Sequence, residues 1–268
     1  MLKDAPIGVF DSGVGGLTVV REIIRQLPSE NIVYFGDTAR VPYGSKSRDT
    51  VIQFSRQIVR FLRTYDVKAI VVACNTASAF ALDTLKEQLD IPIIGVVRPG
   101  ALVAAQATRN KKVGVIATEG TIKSGIYGAV IHEHDPEIQV IGKACPLFVP
   151  LVEEGLLEDE VTDEIARRYL KPLQESDIDT LILGCTHYPL IRKTIGRLMG
   201  DRVTLVNPAY ETAISLKRLL QEENIYRSEG EAKYRFFVSD AEERFSQFAN
   251  SILPVDLVWT RLVPIDEY

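Results

Sequence analysis

Apolar and polar residues are blocked along this chain so that short apolar runs lead repeatedly into helical stripes. Ile7-Gly8-Val9-Phe10 predicts a strand, closed by the glycine-rich turn Asp11-Ser12-Gly13-Val14-Gly15-Gly16. Leu17, Val20, Ile24 and Leu27 then mark one face of a helix, which Pro28 ends. Ile32-Val33-Tyr34-Phe35 predicts a second strand, running through Gly36-Asp37 into a polar loop around Pro42-Tyr43-Gly44, a candidate lid or binding segment. A helix from about Ser47, with Val51, Phe54, Ile58, Phe61 and Tyr65 on one face, delivers the chain to Ala69-Ile70-Val71-Val72. This β-α-β-α-β order is the pattern of a parallel sheet with right-handed crossovers.

Leu82, Leu85 and Leu89 suggest a further helix, and Ile91 to Val97 a strand closing on Arg98-Pro99-Gly100, where a domain crossing is placed. Val113-Gly114-Val115-Ile116-Ala117 restarts the pattern. The turn Thr118-Glu119-Gly120-Thr121, a strand near Val140, Cys145-Pro146 and acidic helical stretches through Glu153 and Ile165 to Leu170 follow. Thr180 to Gly184 and Val203 to Val206 read as strands, with a second crossing at Asn207-Pro208. The tail offers a helix, the strand Phe236-Phe237-Val238, another helix and a final strand near Val255 to Val258.

Two of these runs say the same thing. Ala69-Ile70-Val71-Val72-Ala73-Cys74-Asn75-Thr76 and Thr180-Leu181-Ile182-Leu183-Gly184-Cys185-Thr186-His187 each put a cysteine and small polar residues at the carboxyl end of a fully apolar strand, the edge where open α/β sheets bind ligands. The cysteines are 111 residues apart, and Asp11 to Cys74 (63 residues) is close to Ala117 to Cys185 (68 residues), as an internal duplication would give. Chance similarity between two α/β halves could produce as much. The expectation is an α/β protein of two similar domains, each a mainly parallel sheet flanked by helices. The domains would be residues 1–97 with 209–268, the first being discontinuous, and 98–208. They would be related by a pseudo-two-fold axis, with the active site in the cleft between them.

Bulk properties narrow the chemistry. A chain of 268 residues lies above the size at which single cores usually divide. A net charge of −5 and a pI near 5.4 give no footprint for a phosphate backbone, so nucleic acid is not an expected partner. The first six residues lack the apolar core of a secretory signal, and no apolar run is long enough to span a bilayer; the expectation is a soluble cytoplasmic protein. Three cysteines without a C-x-x-C argue against a disulfide framework.

A cysteine at a strand end can be inert packing. The pairing favours chemistry, because a helix starting just behind each thiol would lower its pKa towards neutrality and let it exchange protons either way. Asp11 can cap the amides of its turn or relay a proton beside the Cys74 strand. His187 can hydrogen-bond within its loop or, the preferred reading, orient or protonate the Cys185 thiol. Cys145 has no twin and is assigned to structure; His132 and His134 are placed on the surface, and Glu153 by sequence alone in solvent. The turn at Gly13-Val14-Gly15-Gly16 is neither G-x-G-x-x-G nor a P-loop, yet its free amides suit a carboxylate as well as a phosphate. Asn75, Thr76 and Thr186 offer donors to the same anion. A zinc site from Cys74, Cys185 and His187 lacks paired-ligand spacing and a fourth ligand, so no metal is expected. A non-catalytic carboxylate-binding protein on the same sheets is the rival reading.

Phe10-Asp11-Ser12-Gly13-Val14-Gly15-Gly16-Leu17-Thr18-Val19, Ala73-Cys74-Asn75-Thr76-Ala77-Ser78 and Gly184-Cys185-Thr186-His187-Tyr188-Pro189-Leu190 resemble the glutamate racemases, as do Gly36 to Gly44 and Pro150-Leu151-Val152-Glu153. The resemblance spans nearly the whole chain. It implies cofactor-independent interconversion of L- and D-glutamate for peptidoglycan. Cys74 and Cys185 would be the two bases, the former for D- and the latter for L-glutamate, with Asp11, Glu153 and His187 assisting. Substrate would be held by Asp11, Ser12, Pro42, Tyr43, Gly44, Asn75, Thr76, Thr186 and His187, with Thr118 and Thr121 as weaker candidates. A homodimer is implied, and Arg98, at a position expected to vary, would bear on how subunits pack. A racemase of aspartate or another amino acid is the alternative within the same plan. The regulatory N-terminal extensions of some relatives are not expected here.

Overall fold

The computed structural model describes residues 2–255 and 259–268. The chain divides into two compact units, Met1–Val96 with Ala209–Tyr268, and Val97–Pro208.

In the first unit β1 (Ile7–Asp11), α1 (Leu17–Gln26), β2 (Ile32–Gly36), α2 (Arg48–Arg63), β3 (Ala69–Val72), α3 (Asn75–Phe80), α4 (Leu82–Gln88) and β4 (Ile93–Gly95) follow in order. β1, β2 and β3 are buried along their whole length, which is why they read as unbroken apolar runs. The stripe Leu17, Val20, Ile23, Ile24 and Leu27 of α1 packs on one face of the sheet, and Val51, Ile58, Phe61 and Leu62 of α2 on the other. Each such side chain withdrawn from water contributes about 1.5–3 kcal/mol. Ser47 caps α2 by accepting the Thr50 amide.

The second unit opens on a helix where the sequence predicts a domain crossing. Arg98-Pro99-Gly100 lies in the first turns of α5 (Val97–Ala107). Proline is tolerated there because the first amides of a helix have no internal partner. The strand expected over Ile91 to Val97 is correspondingly only β4. β5 (Lys112–Ala117) leads to α6 (Glu119–Ser124) and α7 (Ile126–His134), so the expected turn at Thr118 to Thr121 is a helix start, and His132 and His134 are exposed on α7. β6 (Gln139–Ala144), α8 (Phe148–Glu153), α9 (Glu160–Glu175), β7 (Thr180–Gly184), α10 (Arg192–Met199) and β8 (Thr204–Val206) complete the unit.

α11 (Pro208–Glu222) returns the chain to the first unit, where β9 (Tyr234–Val238), α12 (Glu242–Ile252) and β10 (Thr260–Leu262) follow. The strand expected near Val255 to Val258 falls largely outside the described residues; the last described strand is β10.

Among the described residues every strand pairing is parallel. The first sheet runs β10-β9-β2-β1-β3-β4 and the second β6-β5-β7-β8. The run β2-β1-β3-β4 and the run β6-β5-β7-β8 are the same topology, each opening in sequence on its second strand. Cys74 follows β3 and Cys185 follows β7, the equivalent strands of the two sheets.

Candidate active site residues

At the carboxyl edge of the first sheet, Asp11 ends β1 fully buried. Its Oδ2 accepts the Gly13 amide at 3.1 Å and the Gly16 amide at 2.9 Å, so the carboxylate braces the glycine turn. Gly16 is required: a Cβ there would lie 2.3 Å from the Asp11 Cβ. The Tyr34 hydroxyl donates to the Gly13 carbonyl at 2.7 Å. Burial first, then the charges of Asp11 and Cys74, hold that hydroxyl well above the usual phenol range, so it remains a donor.

β3 passes its ladder on through Ala73, whose amide donates to the Phe10 carbonyl at 2.8 Å, and Cys74 then turns the chain into α3. Its sulfur is the helix cap, accepting the Ala77 amide at 3.4 Å, and its thiol lies 3.6 Å from the Ser12 hydroxyl. Asn75 and Thr76 are buried in the first turn of α3, and Ser12 is half-buried. The loop expected to cover this edge is a 3-10 turn at Tyr43–Ser45. Tyr43 is buried and its hydroxyl donates to Asp37 at 2.5 Å, which leaves main chain at Tyr43-Gly44 and the exposed Pro42 as the parts open to a ligand. Burial and Asp37, with a smaller contribution from Cys74, hold the Tyr43 hydroxyl protonated.

At the carboxyl edge of the second sheet, Gly184 lets β7 approach β5: a Cβ there would sit 2.8 Å from the Ile116 carbonyl. Cys185 is buried just beyond, and its sulfur lies 3.8 Å from His187 Nδ1. His187 Nε2 is 3.0 Å from Glu153 Oε1, at the end of α8. Sequence alone placed Glu153 in solvent; it is half-buried against the imidazole, because α8 brings the carboxylate back across 34 residues. Burial opposes a charge on His187, but the hydrogen bonds with Cys185 and Glu153 outweigh it and push the imidazole up to about 10. A cation therefore stands beside the Cys185 sulfur. The helix expected directly behind Cys185 is a 3-10 turn, Tyr188–Ile191, and α10 starts only at Arg192. Charge from His187 takes the place that helix amides hold at Cys74.

Thr118 follows β5 as the residue before α6, and its hydroxyl lies 3.1 Å from that of buried Thr121; Thr186 is buried next to Cys185. Cys145 follows β6, fully buried, with its thiol raised by burial and its carbonyl accepting the Tyr188 hydroxyl at 2.8 Å. The first edge thus gathers Asp11, Ser12, Tyr43, Cys74, Asn75 and Thr76, and the second Glu153, Cys185, Thr186 and His187. Tyr34 and Asp37 hold the first edge in place and were not named as site residues from the sequence; Asp37 lies within the Gly36 to Gly44 stretch that carries the resemblance, whereas Tyr34 carries no signal in spacing or motif.

The family model for Asp/Glu/hydantoin racemases matches residues 7–213. The chain belongs to that family. It is 52% identical over 248 residues to a glutamate racemase of Geobacter metallireducens, covering 92% of each. Among solved structures it is similar to glutamate racemase RacE1 of Bacillus anthracis, with a TM-score of 0.95, 45% identity and 97% and 98% of the two chains covered. It is also similar to the glutamate racemase of Francisella tularensis solved with D-glutamate, with a TM-score of 0.93, 40% identity and 99% and 100% covered. Among the described residues no group of three or more His, Cys, Asp or Glu is arranged to hold a metal ion, and no helix is long and apolar enough to cross a membrane.

Proposed function

We propose that this protein interconverts L- and D-glutamate without a cofactor, using Cys74 and Cys185 as the two acid/base groups. The observation that carries this is the repeated topology, which sets one cysteine behind the equivalent strand of each sheet. Close relatives named glutamate racemases favour glutamate over other amino acids as the substrate. The α-proton of an amino acid is poorly acidic, so the carbanion has to meet fixed charges and dipoles in a site closed to water. One cysteine, as thiolate, takes the proton from one face; the other, as thiol, returns a proton to the opposite face.

The two thiols are prepared differently. Cys185 works beside the His187 imidazolium, which Glu153 orients through its other nitrogen, a cysteine–histidine–carboxylate relay. Cys74 works at the amino end of a helix, with Ser12 within reach of its sulfur and Asp11 bracing the adjoining turn. The substrate carboxylates take the main chain of Ser12 and Tyr43-Gly44, beside Pro42, and the polar groups of Asn75, Thr76, Thr118, Thr121 and Thr186. By likeness to the family, Cys74 acts on D-glutamate and Cys185 on L-glutamate. The product supplies peptidoglycan in the cytoplasm, and the working form is a homodimer whose packing involves the exposed Arg98.

The test is racemisation of pure L- and pure D-glutamate by the Cys74→Ala and Cys185→Ala variants in deuterated buffer. Each is expected to lose at least roughly 10²-fold in rate, the scale of a missing acid/base group. Full racemisation by either variant rules out the two-thiol scheme, and preferred turnover of aspartate rules out the substrate.

A further inference from the structure

The first sheet carries a second concave site at its opposite edge. A cavity of about 480 Å³ opens where β2 and β9 begin, lined by Asn31, Tyr65, Arg227, Lys233 and Arg235 among others. That volume falls in the range of small-molecule sites, about 300–1,000 Å³. Its neutral polar groups are already used: the Asn31 side chain donates to the Asp4 carbonyl at 2.7 Å and accepts the Lys233 amide at 2.8 Å. Arg227 is committed as well, to Asp4 at 3.2 Å and to the Ser29 and Glu231 carbonyls.

Two cations are left over. The Lys233 ammonium and the Arg235 guanidinium have no carboxylate partner among the described residues, although the chain as a whole carries a net charge of −5. Arg235 hangs 5.8 Å from the centre of the half-buried Tyr65 ring, which is itself packed on Phe61 and Phe237. The charge pattern is that of an anion site with an aromatic wall. A guanidinium and an ammonium together suit a phosphate group, which the fork of arginine grips through two oxygens. Tyr65 lines the same cavity and gives it an aromatic surface. Glu231, also on the rim, brings a negative charge to the cavity and disfavours a ligand with more negative charge than a single phosphate.

We propose that this cavity binds a small phosphate monoester carrying a planar ring, through Lys233, Arg235 and Tyr65. The site has a path to the chemistry within its own unit. Arg227, in its wall, donates its amide at 2.8 Å to Glu30, whose carboxylate pairs with Lys68 at 2.5 Å, and Lys68 directly precedes β3, which Cys74 follows.

The proposal is tested on the intact protein by calorimetric titration with phenyl phosphate, inorganic phosphate and, as an anion control, chloride. Phenyl phosphate is expected to bind more tightly than inorganic phosphate, and chloride not to compete at equal concentration. The Lys233→Ala/Arg235→Ala variant is expected to lose at least tenfold in affinity for both phosphates. Tyr65→Leu is expected to bring the two phosphates to equal affinity. Lys233 and Arg235 are exposed, so the double variant keeps its fold, checked by an unchanged melting temperature. Binding unchanged in the double variant, or equal for phosphate and chloride, overturns the proposal. The readout is binding rather than turnover, so its failure is separable from failure of the racemase reading.

Discussion

At the scale of single residues, the two cysteines are poised by different physics, and the difference can be measured. His187 stays protonated up to about pH 10 because Cys185 and Glu153 hold its two nitrogens. Its folded value lies above the ordinary histidine value of 6.5, so the stabilisation from the charged form is complete below about pH 6.5 and is lost as pH rises through about 10. Glu153→Gln removes one of the two supports. The histidine titration followed by NMR is expected to move down, and the alkaline limb of racemase activity to move down with it, with a loss of roughly tenfold or more at the optimum. An unshifted titration would show that Glu153 only fills space. On the other edge, Gly16→Ala forces a methyl into the Asp11 side chain. It is expected to cost about 1–3 kcal/mol in denaturant unfolding and to slow turnover, whereas the same change at half-buried Gly128, where a Cβ meets nothing within 4 Å, costs neither.

At the scale of elements, what was readable in the sequence was what burial writes into it. β1, β2, β3, β5 and β7 are buried on both faces, so their unbroken apolar runs marked them, and the cysteines behind β3 and β7 were placed by the same runs. α5 was missed because Pro99 and Gly100 are strong punctuation signals in the middle of a chain but harmless in a first helical turn. α6 was missed for a related reason: it is a single short turn of helix with Gly120 inside it. Apart from the family resemblance, nothing in the sequence marked Glu153, since its partner is 34 residues away and only the fold brings them together. Neither spacing nor motif marks Glu30 and Lys68, both fully buried, where the loop between α1 and β2 meets the residue before β3. Burial raises the Glu30 carboxyl and lowers the Lys68 ammonium, and their mutual hydrogen bond opposes both shifts. Lys68→Met alone leaves a buried carboxylate without its cation and is expected to cost about 3–5 kcal/mol. Lys68→Met combined with Glu30→Leu is expected to recover most of that in urea unfolding; no recovery would mean that the pair holds Lys3 and Ile225 carbonyls rather than compensating charge.

At the scale of the whole molecule, the two units are not equivalent as pieces of chain. Residues 97–208 are continuous and include an entire four-stranded parallel sheet, whereas the first unit needs two segments separated in sequence. The continuous unit has its own core, in which Ala101 and Ala104 of α5, Val113 and Val115 of β5, Ile131 of α7 and Ile182 of β7 are buried together. It also contains the complete Cys185–His187–Glu153 relay. Its length is well beyond the roughly 40 residues below which a domain needs a disulfide or metal to fold. Expressed alone, residues 97–208 are therefore expected to unfold cooperatively in urea. The histidine titration of His187 is expected to stay near its value in the intact protein, since both groups that raise it are present. Racemisation, however, needs a second proton donor on the other face of the carbon, and Cys74 is not in the piece. The isolated unit should racemise neither enantiomer, even though its own acid/base relay is whole. Measurable racemisation by it, with Cys185→Ala in the same piece abolishing the signal, would mean that one cysteine suffices and that the duplicated topology is not what the chemistry depends on.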